Sequence, residues 1–370
     1  MARLRVAREP TLRAIIDAPR VWFRVQVGTA PADGLAWTCA GLRVALPPPA
    51  PNPPMSPLPD GLRPMLAVTT TAVPADAAGW AAEVKWDGYR ALCRRDDERM
   101  RLHRRRGTDM APWFPELGGL HHALGPHEVV LDGEVVALGT DGRPAFELLQ
   151  QRMRRRPTPL GRRPPDTAPV VYLVFDVLWL DGRLVTGLPF TQRRGLLEGL
   201  GLAGSSWQTT TLFPGQAAEL AEASRQQGLE GVVVKRLQSP YRPGRRSADW
   251  RKLLNYHHDV FVVGGYVPGP DGVAALLVGD PDPQTGRLRF VGRVEHGLLA
   301  PTRRRLAELL AGSSTPTSPF QRPVTSGGRW GQAQAPEPAA VFVNPELAVR
   351  VRYLGWEAGR LRHAAYRGVA

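Results

Sequence analysis

Between residues 81 and 237 the chain repeats one pattern: short apolar, β-branched runs broken by glycine and aspartate, then stretches with apolar residues at helical spacing. AAEVKWDGYRALCRR (81–95), VVLDGEVVAL (129–138), VVYLVFDVLWL (170–180) and EGVVVKRL (230–237) predict buried or half-buried strands. FTQRRGLLEGLGL (190–202) and FPGQAAELAEASRQQGL (213–229) predict amphipathic helices. Residues 152–165, RMRRRPTPLGRRPP, predict a basic, Pro-rich surface loop.

From about residue 258 the texture changes to short strands: DVFVVGGYVPG (259–269), AALLVGD (274–280), RLRFVGRVEHGL (287–298) and VFVNPELAVRVRYLGW (341–356). Turn residues separate them, and one helix-like segment, PTRRRLAELLAG (301–312), sits among them. About five short strands with an inserted helix predict a small β-barrel of the oligonucleotide-binding (OB) type. A Ser/Thr/Pro-rich loop at 313–327 interrupts it, and no internal repeat is evident. The fold class is therefore α+β for the first region, followed by an all-β barrel.

Residues 1–60 read differently. PPPAPNPP at 47–54 suits neither a helix nor a central strand and predicts an extended or disordered extension, with Met55 directly after it as an alternative start. The expected organisation is a disordered extension over 1–60, a mixed domain over 61–257 and a barrel over 258–370. The basic N-terminus MARLRVAREPTLRAIIDAPR is followed by no long apolar run, which argues against a secretory signal. No stretch approaches the roughly 18 uncharged apolar residues of a membrane span. Two cysteines, Cys39 and Cys93, lack metal spacing and fit a reducing cytoplasm.

Charge narrows the partner. A formal net charge of +14 favours an anion, and a nucleic-acid backbone is the commonest one. The basic residues are unevenly chosen, with 45 arginines and only three lysines, Lys85, Lys235 and Lys252. Arginine stays protonated at any working pH. A lysine can act as a nitrogen nucleophile once desolvation or a neighbouring charge lowers its pKa from about 10.4. Lys85 stands on a predicted strand in EVKWDGYRA (83–91), with Asp87-Gly88 immediately after it to turn the chain at a cleft.

Six segments, in order, resemble the motifs of the ATP-dependent polynucleotide ligases, within the covalent nucleotidyltransferases that include mRNA capping enzymes. They are KWDGYR (85–90), RRRG (104–107), LDGE (131–134), LEGVVVKR (229–236), WRK (250–252) and LRHAAYRG (361–368), with LVFDVLWLDG (173–182) as the aromatic-before-Asp strand between the third and fourth. The resemblance implies a nucleotidyltransferase domain of mixed antiparallel sheets with helices, followed by an OB-fold barrel. It implies DNA nick sealing in three steps: Lys85 attacks the α-phosphate of ATP, AMP passes to a 5′-phosphate, and a 3′-hydroxyl displaces it. It implies Glu83 at the adenine edge and Arg90 and Arg105 on ribose and phosphates, where planar donors suit oxyanions. Glu134 and Glu230 would face the ribose and Mg²⁺, with Mn²⁺ as an alternative ion. Phe175 would stack on adenine, with the run Val232–Val234 against the other face. Arg246 and Lys252 would neutralise the α-phosphate. Lys235 joins the ATP-binding set, and Arg362 marks the barrel motif. The implied partner is nicked duplex DNA, bound by a monomer on the nucleoid.

The chain departs from the family pattern in places. Arg104 replaces the usual serine, Ala364 replaces a proline, and the sequence stops at Ala370, ahead of the usual terminal basic residues. The family's W-x-K-x-K ends here in Leu254, which removes one cation and about 2–4 kcal/mol of transition-state stabilisation. Arg251 and Arg245 are the nearest substitutes. Leu254 and the shortened end keep open a nick-binding member weakened in catalysis; a second alternative keeps the enzymology but changes the substrate, an RNA ligase or capping-type nucleotidyltransferase.

Overall fold

The computed structural model describes residues 59, 61–96, 99–105, 107–155, 168–325 and 340–370. The expected Pro-rich extension, with Met55, lies outside the described residues apart from Pro59. The chain divides into two compact units. One runs to Leu253 without Gly228–Gly231; the other comprises Gly228–Gly231 and Leu254–Ala370.

The first unit is built on two sheets. One has the order β1 (Leu66–Thr69), β11 (Arg246–Leu254), β10 (Gly231–Arg236), β2 (Trp80–Val84), β9 (Phe213–Pro214). The other runs β4 (Met100–Arg104), β3 (Tyr89–Arg95), β5 (Val129–Ala137), β6 (Val170–Leu180), β7 (Arg183–Leu184), with β8 (Trp207–Thr209) parallel to β6. Among the described residues four helices accompany them: α1 (Leu120–Ala123), α2 (Phe146–Arg154), α3 (Phe190–Gly199) and α4 (Ala217–Gln226).

Side-chain alternation assigns the two faces of each strand. On β2 and β10, Trp80, Ala82, Val232 and Val234 pack against Ala217 and Leu220 of α4. Glu83 and Val233 are cross-strand partners and share the opposite face. Between the sheets lies an apolar layer of Met65, Leu92, Val130, Leu178, Trp179, Tyr241 and Trp250, with Phe175 against it. The outer face of the second sheet buries a larger core, in which Cys93, Leu131 and Tyr172 meet Phe114, Leu120 and Leu149. Phe175 and Trp250, from two of the motif segments, thus meet in the inter-sheet layer.

The loop predicted over 152–165 begins later than expected. Helix α2 continues to Arg154 because Arg152 is buried, forking onto Glu116 at 2.7 and 2.5 Å and donating to the Trp113 carbonyl at 2.7 Å. Residues 156–167 lie outside the described part.

The second unit is an antiparallel sheet in the order β14 (Leu288–Val294), β13 (Gly272–Pro281), β12 (His257–Gly269), β16 (Ala348–Tyr353), β19 (Ala365–Val369). β15 (Val341–Phe342) also pairs with β12, and β17 (Gly355–Glu357) forms a hairpin with β18 (Arg360–Arg362). Helix α5 (Ala300–Leu310) drops Leu306 and Leu310 into the core beside Val273, Leu276 and Val278. Five main strands and one inserted helix are what the alternation and turn residues called for, and the unit is an OB fold. Among the described residues no helix is long and apolar enough to cross a membrane.

Candidate active site

Lys85 directly follows β2 and is half-buried, and its neighbours are anchored one by one. Trp86 packs on Val136, Val171 and Leu173. Gly88 is pressed so closely on β5 that a Cβ there would lie 2.2 Å from the Val135 carbonyl oxygen. Tyr89 is buried, edge-on to Phe146 at 5.0 Å and beneath the Arg104 guanidinium at 4.5 Å. The glycine and aromatics of KWDGYR therefore serve to hold the lysine's backbone. A second close approach sits in LDGE, where a Cβ on Gly133 would meet the Tyr172 ring at 2.6 Å.

Arg90 closes the segment with a network. Its Nε and Nη2 donate to the two oxygens of the fully buried Asp132 at 2.9 and 2.6 Å, and Nη1 donates to the Met65 carbonyl at 2.6 Å. Tyr241 donates to Asp132 at 2.6 Å and accepts from the Met65 amide at 2.8 Å. Burial pushes the Tyr241 phenol up, and the Asp132 charge adds to it. Burial works against the Arg90 charge, but Asp132 and Tyr241 more than offset it and leave the guanidinium above its ordinary value. The guanidinium also stands 5.3 Å from the Phe175 ring and 5.5 Å from Trp250. Arg90, expected on ribose and phosphates, is thus first a half-buried tie between β3, β5 and the segment before β1.

The second cluster is centred on Glu83, only 2% exposed. Lys235 donates to its Oε2 at 2.7 Å and Arg194 to its Oε1 at 3.3 Å. The Lys235 ammonium is boxed by aromatic faces, 4.4 Å from Trp250, 4.5 Å from Phe175 and 4.9 Å from Phe190. Burial lowers its pKa, against the pull of Glu83. Phe175 is half-buried, edge-on to Trp250 at 6.1 Å, and lies between the cations of Arg90 and Lys235. The run Val232–Val234, expected together against the base, does not act as one. Alternation buries Val232 and Val234 in the core beneath α4, and only Val233 shares the face of Glu83.

The remaining candidates are more dispersed. Glu134 is half-buried opposite Arg90 in the β3–β5 register, its Cγ 3.0 Å from where a Gly88 Cβ would stand. Glu230 lies in the short segment that groups with the second unit, where its carbonyl accepts the Asn255 amide at 3.0 Å. Arg105 is exposed in the turn after β4, and Arg246 is exposed at the start of β11, donating to the Ala67 carbonyl. Lys252 is half-buried on β11, in register with Thr69 of β1. Arg251, half-buried, turns its guanidinium 4.5 Å over Trp80, whose ring belongs to the core beneath α4, and donates to the Ala248 carbonyl at 3.1 Å. In the second unit Arg362 lies 3.5 Å from Glu357, and Ala364 is buried in the barrel core.

Several residues of the site are not singled out by the sequence reading. Asp132, Tyr241 and Trp250 lie inside quoted motifs or beside them, but their roles come from contacts far apart in sequence. Arg193 is fully buried and forks onto Asp176 at 2.8 and 2.9 Å. The available signal was positional, since Arg193 and Arg194 fall between Phe190 and Leu197 on the buried stripe of α3.

Comparison with known proteins identifies the family. The family model described as the ATP dependent DNA ligase domain matches residues 64–253, and that for the ATP dependent DNA ligase C terminal region matches 269–370. The chain is 40% identical over 315 residues to the multifunctional non-homologous end joining DNA repair protein LigD of Mycobacterium tuberculosis, covering 84% of this chain and 38% of that protein. It therefore spans about two fifths of the length of that relative. It is 32% identical over 329 residues to DNA ligase C of the same organism, covering 82% of this chain and 87% of that one. A solved Lig E DNA ligase, 19% identical with a TM-score of 0.54 over 85% of this chain and all of that one, shares the fold. The chain belongs to the ATP-dependent DNA ligase family.

Proposed function

We propose that this protein seals 5′-phosphate/3′-hydroxyl nicks in duplex DNA, in DNA repair, through a lysyl-AMP intermediate on Lys85. Deprotonated Lys85 attacks the α-phosphorus of ATP; a nitrogen–phosphorus bond forms and the bond to pyrophosphate breaks. The nick's 5′-phosphate then takes the AMP from the lysine, and the 3′-hydroxyl displaces AMP to close the strand.

The observation that carries this reading is the anchoring of KWDGYR residue by residue around Lys85, at the edge of a layer containing Arg90, Phe175, Glu83 and Lys235. Phe175, braced by Trp250, is the platform for the adenine, and Val233 the opposing apolar surface. Lys252, on the same strand as Trp250, supplies positive charge to the phosphates, with Arg246 and Arg105 from exposed positions. Mg²⁺ binds through one or two carboxylates plus substrate phosphates, so the Glu134 carboxylate fits it, with Glu230 as the second candidate. When bound, the ion neutralises phosphate charge; Mn²⁺ could take its place. The OB unit closes on DNA, and the protein works as a monomer.

The test is incubation of the purified protein with Mg²⁺ and α-labelled ATP or GTP, with Lys85→Ala alongside. We expect acid-stable label from ATP alone, none on the variant, and sealing of a nicked duplex. Label on the Lys85→Ala protein would overturn the assignment, and label from GTP would indicate capping-type chemistry. Leu254, with Arg251 committed to Trp80, favours one second reading: a member that self-adenylates slowly but seals nicks already carrying AMP. Such a protein would close pre-adenylated nicks at least about tenfold faster than unadenylated ones.

A further inference from the structure

We infer that Arg194 is a positioning residue for nucleobase selection, acting through Glu83. The inference rests on the ligase reading above. Helix α3 buries Phe190, Arg193, Arg194 and Leu197 along one stripe, so two arginines stand where helical spacing calls for apolar residues. Arg193 is accounted for by its fork onto Asp176. Arg194 instead reaches the strand that leads to Lys85.

Its contacts fix it on three sides. Nε donates to Glu198 at 2.7 Å, Nη2 to the Thr210 carbonyl, and Nη1 to both Thr210 Oγ1 and Glu83 Oε1 at 3.3 Å. Thr210 alone engages both terminal nitrogens, which fixes the planar guanidinium with or without Glu198, so it sets the plane in which Glu83 is met. Lys235, a point donor on a flexible stem, adds charge on Oε2 at 2.7 Å without setting a plane. With a cation on each oxygen Glu83 presents lone pairs only, and about half of a carboxylate's roughly four acceptor positions remain unused by these two bonds.

The edge such a group accepts is an amino group. The 6-amino group of adenine donates to it, whereas the 6-carbonyl of guanine sets acceptor against acceptor, which a water-poor site penalises strongly. On this account Glu83 reads the base, Lys235 balances its charge, and Arg194 aims it.

The experiment measures label incorporation at Lys85 in the full chain with Mg²⁺, over a range of ATP and GTP concentrations. Arg194→Ala should raise KM for ATP roughly tenfold or more and narrow the preference for ATP over GTP by a similar factor. Arg194→Lys should recover part of that preference. Glu198→Ala, which releases only the exposed arm of the fork, should keep both values. On a Glu83→Gln background, Arg194→Lys should cost no further preference. Variants that label more slowly, or melt earlier, yet keep the wild-type ATP-to-GTP ratio would overturn the inference and leave Arg194 a structural residue. Should Arg194→Ala fail to fold, Arg194→Lys decides: a partial loss of preference supports the inference and an unchanged preference overturns it. A wild-type protein that takes label from neither nucleotide would sink the ligase reading itself, a result distinct from either.

Discussion

Gly88 shows how much one residue type can decide. The carbonyl of Val135 occupies the space its side chain would need, at 2.2 Å, so no rotamer adjustment relieves a substitution. Gly88→Ala should cost about 2–3 kcal/mol in urea unfolding and, by shifting the Lys85 backbone, reduce lysyl-AMP formation by at least roughly tenfold. Asp132 is a second such position. Asp132→Asn leaves the Arg90 fork half-paired against a buried group and should cost about 3 kcal/mol, the low end for a broken buried pair because Arg90 is 23% exposed. A urea midpoint unchanged in that variant would show that Arg90 finds other partners. The sequence reading marks Gly88 as a turn residue and Arg90 as a nucleotide-site residue; the contacts that make them necessary join residues more than 40 positions apart in sequence.

At the level of elements, alternation located most of the strands and was silent at others. β3, β5, β6 and β10 coincide with the apolar runs read from the sequence. β11, RSADWRKLL, has no such run, because it pairs in parallel with β1 through an interrupted register and buries Ser247 and Trp250 rather than every second residue. The run Val232–Val234 shows the same limit in reverse. Three equivalent letters face two ways, and only packing says which valine meets the site. Val234→Thr should lose about 1–3 kcal/mol by burying a hydroxyl beneath α4, and Val233→Thr less than about 1 kcal/mol. Equal losses from the two would mean that β10 is rotated from the face assigned here. In α3 the helical spacing was legible, but the buried arginines were not, since hydropathy alone puts charge on the solvent side.

Across the molecule, buried acidic groups set an alkaline limit. Burial pushes the Cys93 thiol up to about 12, and burial with the Asp259 hydrogen bond pushes the Tyr353 phenol up to about 12. Groups whose pKa is raised by folding contribute stability below their unfolded values, and that stability is lost as pH rises through the folded ones. The loss should therefore begin near the ordinary thiol value of 9.0, steepen near the phenol value of 10.0 and run towards 12, and Tyr353→Phe should flatten the upper part of it. Over the same range Cys93 should resist alkylation in the folded protein, as read by peptide mass spectrometry; rapid labelling at pH 9 would contradict its burial. The net charge of +14 makes a further demand. If four or more phosphates are neutralised, affinity for a nicked duplex should fall at least roughly a hundredfold between 50 and 200 mM salt, measured by fluorescence anisotropy.

The sequence by itself determined the order of elements and the change from a mixed domain to an antiparallel barrel, and it singled out Lys85 by residue type. Those depend on local period, turn chemistry and residue type, which are properties of short windows. What only the tertiary structure decided is which charges are paired inside: Glu83 with Lys235 and Arg194, Arg90 with Asp132, Arg193 with Asp176. A buried charge is tolerable only where an opposite one arrives from another strand or helix, and that meeting is made by the packing of two sheets, not by any stretch of chain.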